Sequence, residues 1–247
     1  MTPSFSNDVL AQLKGKRFFP FIAPPNGGKG TQTNAMLAAF PNRLVRVDMG
    51  ALLRAAAADT TNPLGDAIRE RQAGGNLVEL SMVMQVLAEG MATLVADNPS
   101  VEGFLLDGFP RNAEQLAELD ALCEQSGAVL AQGYFLQVSN EAIVGRAAGR
   151  VFHKTTHQPY NLNNPSLQPP GYNASTFNLS ISEYYQRDDD KPETVEKRLT
   201  SFYSDTQPVL DALSARNLLT TVDGNQAPEA ITPGLLASVQ LLLPVAV

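Results

Sequence analysis

The chain has a single cysteine, Cys123, in 247 residues. That count excludes an intrachain disulfide and a cysteine-based zinc site, so no zinc is expected. Two histidines, His153 and His157, argue against a histidine-rich metal centre. Basic residues are the minority: 18 Lys plus Arg against 25 Asp plus Glu, a net charge of −7 and a pI near 4.9. A duplex nucleic-acid binder carries a basic domain, so no nucleic-acid partner is expected. A small anionic ligand stays open, because a few clustered arginines bind one inside an acidic protein. No apolar run approaches the ~20 residues of a membrane span. Residues 18–25, FFPFIAPP, are too short and too proline-rich, so no membrane partner is expected. The first residues carry Asp8 and no long apolar stretch, unlike a secretory signal, which leaves a cytoplasmic location as the expectation. With 18 Gly and 17 Pro the chain is not of low complexity, and 44% hydrophobic residues exclude disorder of the whole.

What is present is an alternation of short apolar runs and helical stretches. RFFPFIA at 17–23 reads as a buried strand, followed by a Pro/Asn/Gly cluster and a helix from Lys29 to Phe40. Strand, glycine-rich turn, helix is the opening of a nucleotide-binding α/β unit. LVRV at 44–47 is a second strand, and 50–58, 63–73 and 79–97 are helical. In the last of these Leu80, Val83, Met84, Leu87 and Met91 repeat at three-to-four spacing. GFLLD at 103–107 is a buried strand, 112–125 an amphipathic helix, 128–138 contains a strand and 140–149 is helical. Residues 153–186, rich in Asn, Gln, Pro, Ser, Thr and Tyr, read as a long functional loop such as a lid. Helix returns at 190–216, where Asp190-Lys191-Pro192-Glu193 resembles a capping box, then a strand at 218–222 and a helix at 227–243. The fold class expected is α/β: a parallel sheet of about five strands with helices on both faces.

Three features carry chemistry. Ala23-Pro24-Pro25-Asn26-Gly27-Gly28-Lys29-Gly30-Thr31 follows the first strand. Such a loop aims backbone N–H groups and a helix N-terminus at phosphate, and its lysine neutralises the transferring group. The plain alternative is a turn with a helix-capping glycine pair. Leu106-Asp107-Gly108-Phe109-Pro110-Arg111 ends a buried strand, where α/β sheets place their ligands. There Asp107 would hold magnesium through water and Arg111 would face phosphate; the alternative is a solvated turn. Finally Arg146 and Arg150 precede the polar insertion, and Arg187 and Arg198 follow it. Arginine forks match phosphate oxygens. The run Asp188-Asp189-Asp190 fits a solvated stretch, a helix start, or partners that orient those arginines.

With these motifs the chain resembles the adenylate kinases, the long-lid nucleoside monophosphate kinases. GGKGTQ at 27–32, LLRAA at 52–56, GNLV at 75–78, LLDGFPRNAEQ at 105–115, GR at 149–150 and QRDDDKPETVEKRL at 186–199 occur in the family's order. The resemblance implies a P-loop three-layer fold. It places one nucleotide-kinase domain over 16–247, with 1–15 as an N-terminal extension. Within the domain, 48–78 would be the insert that closes on the monophosphate and 151–189 the lid over the triphosphate. It implies reversible transfer from Mg-ATP to AMP giving two ADP, by a monomer. Lys29, Arg111, Arg150, Arg187 and Arg198 would be catalytic. ATP would meet Asn26, Gly27, Gly28, Lys29, Gly30, Thr31, Arg146, Arg150, Tyr160 and the backbone near Gln226. AMP would meet Met49, Arg54, Asn76, Val78, Gly108, Arg111, Gln115, Arg187 and Arg198. The alternatives are a weakened nucleotide-binding homologue, GTP as donor, or UMP or CMP as acceptor.

The chain departs from the family pattern at identifiable places. Ala23 and Asn26 stand where the family loop has glycine, and Met49-Gly50-Ala51 where it has Thr-Gly-Asp. Asn is the non-glycine residue that best tolerates a left-handed backbone, so Asn26 is expected to adopt one. Pro20 is the odd residue of the first strand, because a central strand has little room for a missing ladder donor.

Overall fold

The computed structural model describes residues 5–73 and 78–243. In chain order they form α1 (Asn7–Leu13), β1 (Arg17–Ile22), α2 (Lys29–Ala39), β2 (Leu44–Asp48), α3 (Met49–Ala58), α4 (Gly65–Ala73) and α5 (Leu80–Asp97). Then come β3 (Gly103–Asp107), α6 (Ala113–Ser126), β4 (Val129–Leu130), β5 (Gly133–Gln137) and α7 (Asn140–Gly149). The insertion holds β6 (Arg150–His153), β7 (Pro159–Asn161) and β8 (Tyr184–Tyr185), and α8 (Pro192–Ala215), β9 (Leu219–Asp223) and α9 (Pro228–Leu242) complete the chain.

The main sheet runs β2-β3-β1-β5-β9, all neighbours parallel, with β4 added against β1. Strand side chains alternate between two cores, as the two-residue pleat requires. Phe18, Ile22, Phe104, Leu106 and Phe135 face one layer with α5 and α6. Phe19, Phe21, Leu105, Tyr134 and Leu136 face the other with α2, α7 and α9. Burying each such side chain is worth about 1.5–3 kcal/mol. By length and apolar composition α5 matches a membrane span, but Val83, Met84, Val86, Leu87, Ala88, Met91, Ala92 and Val95 are buried. It is the central helix of one core layer.

β1 is indeed central, and Pro20 has a place in it. Along β3 the pairing is unbroken, from Arg17 with Gly103 to Phe21 with Asp107. On the other side Arg17 and Phe18 pair with Val129 and Leu130 of β4, and Phe21 and Ile22 pair with Tyr134 and Phe135 of β5. The register slips by one residue between those pairs, and Phe19 and Pro20 are skipped. The missing proline donor falls at this bulge-like step. For the same reason the single strand read within 128–138 is two pieces.

Residues 5–15, read as an extension, pack on the body: Leu13 is fully buried and Phe5, Val9 and Leu10 lie against the same core. The polar insertion is not simply a loop. It holds a three-stranded antiparallel sheet, β7-β6-β8. Its asparagines make the turns: the side-chain oxygens of Asn161, Asn164, Asn173 and Asn178 each accept from the N–H two residues on. Phe152, Tyr160, Phe177, Tyr184 and Tyr185 form its small aromatic core.

Candidate active site

The C-terminal ends of the parallel strands converge on one edge of the sheet, where open α/β sheets bind ligands. β1 ends in the loop 23–28, β3 in Asp107, and β9 in the turn of Asp223 to Gln226. Because Phe21 pairs with Asp107, the phosphate-type loop leaves the sheet beside that carboxylate. The Lys29 ammonium forms an ion pair with Asp107, both side chains partly exposed. Asp48, at the end of β2, is the register partner of Asp107. It also caps α3, accepting from the Ala51 N–H at 2.8 Å.

The loop has the backbone its residues suggest. Asn26 is left-handed at φ 59°, and Gly28 lies at φ 89° as the N-cap of α2. The Gly28 carbonyl accepts from the Thr31 N–H at 3.1 Å, and Gly27, Lys29 and Gly30 complete the turn into α2. At the end of β3, Gly108 at φ 76° lets the chain fold back so that Arg111 Nε donates to its carbonyl at 2.9 Å. Gln115 Oε1 accepts from the Arg111 N–H at 2.8 Å, and Asn112 caps α6 by accepting from the Gln115 N–H at 2.9 Å. Asn112 therefore has a structural role in this turn.

The insertion contributes its arginines from both ends. Arg146, late on α7, donates from Nη2 to the Gly224 carbonyl at 2.8 Å, beyond β9. A Cβ at Gly28 would lie 3.6 Å from its Nη1, so Arg146 bridges the phosphate-type loop and the β9 turn. Burial pulls its guanidinium below the usual arginine range. In that turn the Asp223 carboxyl is held below its usual range by the Asn225 N–H, the Asn225 amide and the Gln226 amide. Arg150 at the start of β6 makes a two-pronged contact with Asp190, Nε to Oδ2 at 3.0 Å and Nη2 to Oδ1 at 2.6 Å. The Asp190 side chain is fully buried. α8 starts at Pro192 with Lys191 as N-cap and no side-chain cap bond, so the capping-box reading of Asp190 is corrected: Asp190 orients an arginine. Asp188 is the solvated member, paired with Lys191 at 2.7 Å.

Arg187 stacks its guanidinium on the Phe152 ring at 3.8 Å from the centroid, and Arg150 lies 5.2 Å from the same ring. Neither Phe152 nor the burial of Asp190 has a sequence signal; the one sits in a four-residue strand, the other in a run of three aspartates. A cation over an aromatic face is worth about 0.5–2 kcal/mol. Phe152→Leu keeps the bulk and removes the ring face. It is expected to weaken binding of a phosphate-bearing ligand by about threefold to tenfold in calorimetric titrations, with Phe152→Tyr near wild type.

Of the other expected site residues, Met49 is buried in the core at the N-terminus of α3. Arg54, on the same helix, folds back so that a Cβ at Gly50 would sit 3.1 Å from its Nη1. Val78 packs against the core just ahead of α5. Asn76 lies outside the described residues. Tyr160 is on β7 against Tyr184, Gln226 is in the turn after β9, and Arg198 is on α8.

Comparison with known proteins supplies the family. The adenylate kinase family model matches residues 21–218, which run from the end of β1 to the approach of β9. Adenylate kinase 4 of Arabidopsis thaliana is 32% identical, over 94% of this chain and 91% of its own length. The adenylate kinase of Acidothermus cellulolyticus is 31% identical over 89% of this chain and 96% of its own, and that of Thermodesulfovibrio yellowstonii is 31% identical over 88% and 96%. A phosphate-type loop beside a strand-end aspartate, arginines at both ends of a long insertion and near full-length similarity converge on one assignment: this chain belongs to the adenylate kinase family.

Proposed function

We propose that the protein catalyses reversible phosphoryl transfer from ATP to AMP, giving two ADP. The observation that carries this is the Lys29–Asp107 pair, made between the first turn of α2 and the end of β3, with Arg146 against the same loop. The bond from the γ-phosphorus to the β,γ-bridging oxygen breaks, and a bond to an AMP phosphate oxygen forms. Such a reaction needs alignment and charge neutralisation more than covalent help from the protein. Lys29 neutralises the transferring group. The N–H groups of 26–31 and Arg146 hold the donor phosphates, and Arg150, Arg187 and Arg198 complete the clamp. Tyr160 and the backbone near Gln226 contact the donor nucleoside. Arg54 and Arg111 hold the acceptor phosphate. Gln115 and the Gly108 backbone read the acceptor base. Residues 151–189 act as the lid and 48–78 as the acceptor insert, which exclude the water that would turn transfer into hydrolysis.

Magnesium fits the donor set. Mg²⁺ keeps several waters and takes one or two carboxylates alongside substrate phosphates. Asp107 supplies such a carboxylate, and the described residues contain no group of three His, Cys, Asp or Glu that would cage an ion alone. Asp107 would hold the ion through water, and the bound ion would add charge neutralisation on the phosphates.

The test is a coupled assay with Mg-ATP against AMP, UMP, CMP and GMP. Rapid ADP formation with AMP alone is expected. Equal rates with UMP or CMP contradict the acceptor assigned here, and no turnover with any acceptor contradicts the reaction.

A further inference from the structure

Asn26 occupies a backbone position made for glycine, yet its side chain is engaged. Its φ of 59° lies in the left-handed region, where glycine is at no disadvantage. From there Nδ2 donates to Asp190 Oδ1 at 3.3 Å, across 164 residues of sequence. The same oxygen accepts from Arg150 Nη2 at 2.6 Å. In this orientation Asn26 Oδ1 is buried without a partner.

The three residues come from three elements. Asn26 belongs to the phosphate-type loop, Arg150 opens the insertion's first strand, and Asp190 closes the insertion just before α8. Arg150 and Asp190 thus fasten the two ends of the lid to each other, and Asn26 fastens that pair to the loop. Asp190 is 2% exposed, so its carboxylate direction is set by these donors rather than by bulk solvent. We infer that Asn26 is a positioning residue: through Asp190 it fixes the direction of Arg150 toward the donor phosphates, and so couples lid and loop. The inference deepens the phosphotransfer reading and rests on it for the identity of the donor phosphates.

The glycine-like backbone makes the test clean. Asn26→Gly suits φ 59° better than Asn, so any loss comes from the missing carboxamide. Loss of a hydrogen bond to a charged group predicts about a tenfold fall in kcat/KM for ATP, with a matching weakening of Mg-ATP affinity by calorimetry and an unchanged or raised melting midpoint. Asn26→Asp sets a second carboxylate against Asp190 and is expected to lose at least tenfold more. Asn26→Gly at or above wild-type kcat/KM and affinity would overturn the inference, as would equal effects of Gly and Asp. Should the wild type bind Mg-ATP yet transfer no phosphoryl group, the proposed function falls, and the affinity comparison still decides the role of Asn26. A wild type that binds no ATP overturns both.

Discussion

Lys29→Met is expected to lower kcat by about 10²–10³-fold, with a smaller change in KM for ATP. Methionine keeps the unbranched shape and removes the charge. The ammonium sits at the first turn of α2, beside Asp107 at the end of the neighbouring strand. A charge placed at a helix N-terminus and aimed at a transferring group acts mainly where negative charge is redistributed in the transition state. Removing such a charge removes about 2.7–4 kcal/mol of stabilisation. Binding loses less, because the backbone N–H groups and Arg146 still hold the donor phosphates. Stability changes modestly: the Asp107 side chain keeps 16% of its exposure and is partly solvated once unpaired. Turnover within threefold of wild type would show that the loop is not a phosphate site.

Gly28→Val is expected to reduce kcat/KM for ATP about 100-fold, by a different route. At φ 89° a β-branched residue is a steric outlier. The added branches also extend toward Arg146 Nη1, which already lies 3.6 Å from the Cβ position. The loop must change its backbone, and Lys29 is the next residue. A displacement of about 1 Å at such a site costs about 10²-fold. The strain itself, about 1–3 kcal/mol, lowers the melting midpoint by several degrees in a chain of this length. Gly28→Ala should fall between the two. Full activity in the valine variant would place the donor phosphates elsewhere.

The sheet and its helices were legible because each strand is a short apolar run closed by turn residues, and each helix repeats at its own period. The phosphate-type loop and Asp107 were legible for a related reason: they sit at strand ends, where sequence order already fixes position. The internal structure of the insertion was not legible. Its strands are two to four residues long, too short to show alternation, and its turns are made by asparagine side chains that composition alone reads as loop. Asp190 is chemically identical to Asp188; only burial separates the arginine partner from the solvated neighbour. Asn26 was legible as a left-handed residue, but its contact lies 164 positions away. Pro20 looked out of place until the register step between β4 and β5 was visible.

Incubating the purified protein with Mg-ADP alone and following the nucleotides by phosphorus NMR tests the proposed reaction itself. ATP and AMP are expected to appear in equal amounts and approach an equilibrium mixture without release of inorganic phosphate. ADP that stays unchanged, or inorganic phosphate as the main product, would contradict it.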